Sequence, residues 1–201
     1  MLGARGVSIF GSSGDGGSHW SFGPFSSADQ IGRALNKVGC EFMFPIFPSP
    51  SPYITSVGGT AWASHDPTKP IAWEGGGGGF SWSFAAPAHQ QAAVAAYLGN
   101  TSGLPPASQF NASGRAYPDL SAVAEDGTSE SSPTVAGIFS QIVDRRLNAG
   151  LGGLGFLGPR LWKVASQFPG SAFEDITAGN TKTSCDSGLP SGTATCTSMG
   201  S

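Results

Sequence analysis

The chain has 201 residues, 11% of them charged and 39% hydrophobic, with a formal net charge of −3. That is enough for one domain with a real core, or for a large part of a bigger one, and the small negative charge argues against a nucleic-acid partner. No run approaches the length of a membrane-spanning helix, while 31 glycines and 15 prolines imply many tight turns around a modest set of regular elements.

In chain order, Met1 to Gly6 lacks the apolar core of a signal peptide. Gly6 to Phe10 reads as a short buried strand running into the loop Gly11 to Gly17. Ser26 to Val38 carries Ile31, Ala34, Leu35 and Val38 at helical spacing. Phe42 to Pro52 is Pro-rich and excludes either regular element. Tyr53 to Val57 is expected to be a strand stopped by Gly58-Gly59. A five-glycine loop, Gly75 to Gly79, precedes Phe80 to Phe84, and Gln90 to Leu98 is an Ala-rich helix. Tyr117 to Ala124 suggests a strand, Thr134 to Asn148 a long helix and Pro159 to Ser166 a further one. Strands alternating with helices predict an α/β fold with a mostly parallel sheet flanked by helices. Sites in such sheets form in the loops at the carboxyl ends of strands. Three loops fit: those of Asp15, of the five glycines, and of the turn before Ser129.

Ser129 follows a tight Gly127-Thr128 turn and precedes Val135, Ile138, Phe139, Ile142, Val143 and Leu147 at spacings of three and four. It therefore belongs near a helix N-terminus, where free N–H groups and the dipole favour a developing oxyanion. The plainer reading is that Ser129 or Ser131 caps the helix. Asp15, wrapped by glycines, is either a turn aspartate or a site carboxyl. The glycine run is either a linker or an edge that pairs with an extended peptide. His19 and His65 flank loops and His89 opens a helix at the surface, so no histidine has a recognisable catalytic context. No zinc spacing occurs. Cys185 and Cys196 lie close enough to pair in a Gly/Ser/Thr-rich tail, with Cys40 left over. Asn100-Thr101-Ser102 and Asn111-Ala112-Ser113 are sequons compatible with secretory passage.

Five blocks then occur in order: Ser13-Gly14-Asp15, Phe47 to Thr60 (with Pro52-Tyr53-Ile54-Thr55 and Val57-Gly58-Gly59-Thr60), Gly77-Gly78-Gly79-Phe80-Ser81, Gly114-Arg115-Ala116-Tyr117-Pro118-Asp119, and Gly127-Thr128-Ser129 with Pro133. Together they resemble the sedolisin family of serine-carboxyl peptidases, nearest to its tripeptidyl-peptidase members, over residues 6 to 177, with 178 to 201 as a divergent tail. The resemblance implies a subtilisin-like fold and acid-acting hydrolysis of peptide or protein substrates, in a lysosomal or secreted setting. It makes Ser129 the nucleophile, Asp15 the oxyanion aspartate and Gly77, Gly78 and Gly79 the strand edge that holds substrate. Asp175 and Ile176 resemble the start of the family's calcium site, a carboxylate and a main-chain carbonyl. The Gly-rich Trp-Asp segment that completes that site has no counterpart here. Nor has the family's Glu-x-x-x-Asp base pair, which lies upstream of the Ser-Gly-Asp block. The chain thus reads as the C-terminal half of a catalytic domain, with the N-terminal half and a propeptide implied as partners. Acylation on Ser129 is then expected to be nearly silent in this chain alone. The alternatives are a catalytically dead, secreted peptide-binding remnant of the same fold, and a subtilisin, which would need a catalytic histidine and an asparagine where Asp15 stands.

Overall fold

The computed structural model describes residues 1–18, 34, 38, 42–63, 66–124 and 127–181. The elements are a 3-10 turn at Gly3–Arg5, strands β1 (Phe10–Ser12), β2 (Thr55–Ala63), β3 (Asp66–Ala72), β4 (Gly79–Ala85), β5 (Gly114–Tyr117) and β6 (Leu120–Val123), and helices α1 (Gln91–Asn100), α2 (Thr128–Asn148) and α3 (Gly158–Gln167). Most of the helix expected over 26–38 lies outside the described residues, as do His19, His65 and the three cysteines. Among the described residues no helix is long and apolar enough to cross a membrane.

The main sheet is built on β2. Strand β1 pairs with it in parallel (Phe10 to Thr55, Ser12 to Val57), and so does β6 (Val57 to Leu120, Thr60 to Val123). Carbonyls along a strand alternate between its edges. Those of Val57 and Gly59 accept from Ser13 and Trp73, and those of Ser56 and Thr60 accept from Asp119 and Ala124. One edge of β2 therefore carries β1 and then antiparallel β3, and the other carries β6. Helix α2 packs across β1, β2 and β6, burying Val57 and Val135. Phe10 meets Phe139 at 5.4 Å between ring centroids. A second, antiparallel pair, β4 with β5, packs on α1 through Phe80, Val94 and Phe110. The α/β architecture holds, with a parallel core of three strands inside a mixed sheet.

Several boundaries differ from the sequence reading for physical reasons. The first strand begins at Phe10, where the predicted one ends, because Gly6 turns with φ 87° and Val7 stays exposed. Strand β2 continues through Gly58-Gly59. A Cβ there would come within 2.7 Å of Pro118 and of Ala124, so these glycines serve close packing inside the strand. Strand β3, unmarked in the sequence, carries Pro67 and Pro70, which suit an edge. The strand expected over 117–124 is split, since Pro118 gives the ladder no donor and Asp119 turns inward. Helix α2 starts at Thr128, six residues early, with Pro133 inside its second turn. The Asn111 amide donates to Ser81 O at 3.0 Å, so this sequon asparagine is engaged in the fold.

Candidate active site

Because β1 and β6 run parallel to β2, their carboxyl ends reach the same end of the sheet. Strand β1 delivers Ser13-Gly14-Asp15 there and β6 delivers Gly127-Thr128. Asp15 Oδ1 accepts the Thr128 N–H at 2.6 Å and the Thr128 hydroxyl at 2.7 Å. The Gly14 N–H donates to Thr128 Oγ1 at 3.1 Å. The carboxyl thus sits on the first turn of α2, where the unpaired amides and the positive end of the dipole favour it. Its Oδ2 lies over Gly127. A Cβ on that residue would be 2.9 Å from this oxygen, and its φ of 100° strains any L side chain.

Ser129 is the second residue of α2 and is exposed, and its hydroxyl has no hydrogen-bond partner among the described residues. Neither serine caps the helix. Gly127 is the N-cap and has no side chain to cap with, while the Asp15 carboxylate accepts the first helical N–H. Ser131 is buried and donates instead toward the carbonyls of Val123 and Ala122, at 2.9 and 3.1 Å, fastening α2 to β6. Pro133 has no N–H to return to the Ser129 carbonyl, which leaves that carbonyl outside the helical ladder.

The glycine loop joins the same constellation. The Gly77 N–H donates to Gly14 O at 2.7 Å and the Gly17 N–H to Gly75 O at 2.9 Å. A Cβ on Gly77 would stand 1.9 Å from Ser13 O, so the loop is pressed against the Asp15 turn. Gly79 pairs with Tyr117 in the β4–β5 ladder. Gly78 and Gly79 continue into the wall of a cavity of about 340 Å³ that also takes Phe80, Tyr97, Trp162 and Asp175. Asp15, Gly77 and Thr128, carrying Ser129, are therefore brought together, whereas Gly78 and Gly79 lead away toward the cavity.

Asp175 and Ile176 reach this region on the segment strapped to β3 by the Ala72 N–H to Ala178 O bond of 2.8 Å. They bring one carboxylate and one carbonyl, where Ca²⁺ takes six to eight oxygens. Among the described residues no group of three His, Cys, Asp or Glu side chains could hold a metal ion. These two residues do not form a calcium site by themselves.

Two features escaped the sequence reading. Thr128 anchors Asp15, and Gly-Thr-Ser by itself marks only the turn. Behind the site, Asp119 is a buried hub. It accepts from Arg115 Nη2, from the Ser56 N–H at 2.7 Å, from Gln90 Nε2 at 3.0 Å and from Trp162 Nε1 at 3.3 Å. It ties β2, the start of α1, β5 and α3 into one frame. His89, expected at the surface, is partly buried beside Trp162, 6.4 Å between rings. This desolvation, reinforced by Arg115 and opposed by Asp119, holds its imidazole below the usual histidine range.

No family model matches the chain. It is 39% identical to bovine tripeptidyl-peptidase 1 over 170 residues, covering 77% of this chain and 30% of that protein. It is also 39% identical to the dog enzyme over 193 residues, covering 88% and 31%. The human enzyme is likewise 39% identical over 172 residues. Among solved structures, the fold matches a Pseudomonas sedolisin, a serine-carboxyl proteinase complexed with two molecules of pseudo-iodotyrostatin. The TM-score is 0.59 at 22% identity, over 89% of this chain and 48% of that one. The chain spans about a third of the tripeptidyl-peptidase relatives and about half of the sedolisin. With its ordered motifs and its α/β sheet, the chain belongs to the sedolisin family of serine-carboxyl peptidases, of which it represents part of the length.

Proposed function

We propose that the chain carries the nucleophile and the oxyanion carboxyl of an acid-acting serine peptidase, Ser129 and Asp15, and that peptides or proteins are its substrates. The observation that carries this reading is the attachment of Asp15 to the first turn of α2, through Thr128, one residue before the exposed Ser129. In the reaction, Ser129 Oγ bonds to the scissile carbonyl carbon and the C=O pair moves to oxygen. A base takes the Oγ proton and passes it to the leaving amine as the C–N bond breaks. Water then releases the acyl group by the same steps. Asp15 Oδ1 is held by two donors, which leaves Oδ2 to carry the proton that stabilises the oxyanion. That role needs the protonated acid and a carboxylate base ionised beside it, a combination met in an acidic compartment, lysosomal or secreted.

Among the described residues no side chain is hydrogen-bonded to Ser129 Oγ, and this reading takes its base from the family's Glu-x-x-x-Asp pair. Without it the chain turns over at least about 10³-fold more slowly. Calcium enters this reading only with ligands beyond Asp175 and Ile176.

The test is peptide hydrolysis at pH 3–5 by the chain alone and mixed with a sedolisin segment bearing Glu-x-x-x-Asp. Hydrolysis is expected only in the mixture and is expected to disappear in Ser129→Ala. Turnover by the chain alone that Ser129→Ala removes would show that it holds its own base. Peptide binding with no Ser129-dependent hydrolysis in either case would favour a non-catalytic peptide-binding remnant.

A further inference from the structure

The sequon Asn100-Thr101-Ser102 has no part in the peptidase reading. Asn100 is the last residue of α1. Thr101 ends the helix in extended backbone, at φ −84° and ψ 126°, with its N–H on Tyr97 O at 2.9 Å. The chain then bends through Ser102 and Gly103, the latter at φ 75°, toward Pro105. Asn100 and Ser102 are exposed, and neither side chain has a hydrogen-bond partner among the described residues. A Cβ on Gly99 or on Gly103 would meet nothing within 4 Å, so the space on both sides of the sequon is open. The second sequon is built differently. Asn111 Nδ2 donates to Ser81 O at 3.0 Å, and its Oδ1 accepts the Ser113 N–H at 3.2 Å and the Ser113 hydroxyl at 2.7 Å. Its amide and its hydroxyl are both engaged in the fold.

We propose that Asn100 is a site of N-linked glycosylation, with the oligosaccharide displayed at the end of α1. The proposal rests on the secretory setting of the reading above. In the transfer, Asn100 Nδ2 bonds to the anomeric carbon of a lipid-diphosphate-linked oligosaccharide. The bond from that carbon to the diphosphate oxygen breaks, and the lipid diphosphate leaves with the electron pair. One Nδ2 proton goes to a base of the transferase. Ser102 supplies the hydroxyl two residues on that the acceptor sequence requires. Attachment orphans no buried partner, since the Asn100 amide bonds no other described residue. The bulky, hydrophilic sugar then projects into solvent from an exposed turn, the setting such a group needs.

The test expresses the full chain behind a cleavable secretion leader in a eukaryotic cell and takes only molecules from which the leader has been removed. Digestion with N-glycosidase in heavy-oxygen water leaves a labelled aspartate wherever an asparagine carried a glycan, and peptide mass spectrometry locates it. The label is expected at position 100. Asn100→Gln and Ser102→Ala are each expected to remove that label and to lower the mass of the undigested chain by one glycan, while Ser102→Thr keeps both. An unlabelled Asn100 overturns the site. So does a label at position 100 that survives Ser102→Ala, since that marks deamidation. Either result leaves the peptidase reading standing, because hydrolysis at Ser129 does not pass through the glycan. A chain that carries the label but shows no Ser129-dependent hydrolysis in the mixture keeps the site and loses the peptidase reading.

Discussion

The Arg115–Asp119 pair behind the site is the most consequential place to perturb the fold. The two side chains are 1% and 2% exposed, so neither charge is relieved by water. Asp119→Ala removes the counter-charge of Arg115, orphans the donors of Ser56 and Trp162, and leaves Gln90 Nε2 only the Ala116 carbonyl. Breaking a buried pair this way costs about 3–5 kcal/mol. Against a total stability of about 5–15 kcal/mol that is roughly a fifth of the fold or more. At about 2–4 °C per kcal/mol for a chain of this size, the midpoint should fall by roughly 6–20 °C. Arg115→Met should cost less, since Asp119 keeps its other three donors. Arg115→Met with Asp119→Leu should cost less than the sum of the singles, because no unpaired charge remains. Urea unfolding followed by tryptophan fluorescence gives all four corners of this cycle, with the Trp162 indole bonded directly to Asp119. Single substitutions within about 1 kcal/mol of the parent, or a strictly additive cycle, would refute the role of Asp119 as a buried hub.

Gly77→Ala should force the glycine loop away from Ser13 O, at an overpacking cost of about 1–3 kcal/mol or more, and should displace Asp15; denaturant titration checks the first and peptide binding the second. Ser13 Oγ is buried without a partner among the described residues, so Ser13→Ala should be neutral or stabilising by about 1 kcal/mol in the same titration. His89 is held below its ordinary range by desolvation, so the unfolded chain binds more protons as pH falls through about 6.5. Stability attached to His89 is therefore complete above that pH and declines below it, and His89→Gln should flatten this part of a midpoint-against-pH curve.

The sequence by itself determined the α/β class, the order of the motifs and the placement of Ser129 at a helix start. These follow from local periodicity and from glycine turns, which neighbours in the chain largely control. The boundaries that moved were set by partners far along the chain. Gly58 and Gly59 read as a strand stop, yet they lie inside β2 because Pro118 and Ala124 crowd them. Ser131 read as a cap, yet it bonds β6 because the helix already has Gly127 at its N-cap. The Arg115-Ala-Tyr-Pro-Asp119 block was legible as a motif, but its role as a buried charge hub needed Ser56, Gln90 and Trp162 brought in from other elements. The tertiary structure alone decided that Asp15 stands on Thr128, 113 residues away. It did so by running β1 and β6 parallel to β2, so that two distant loops meet at one end of one sheet, a relation that no local pattern of residues encodes.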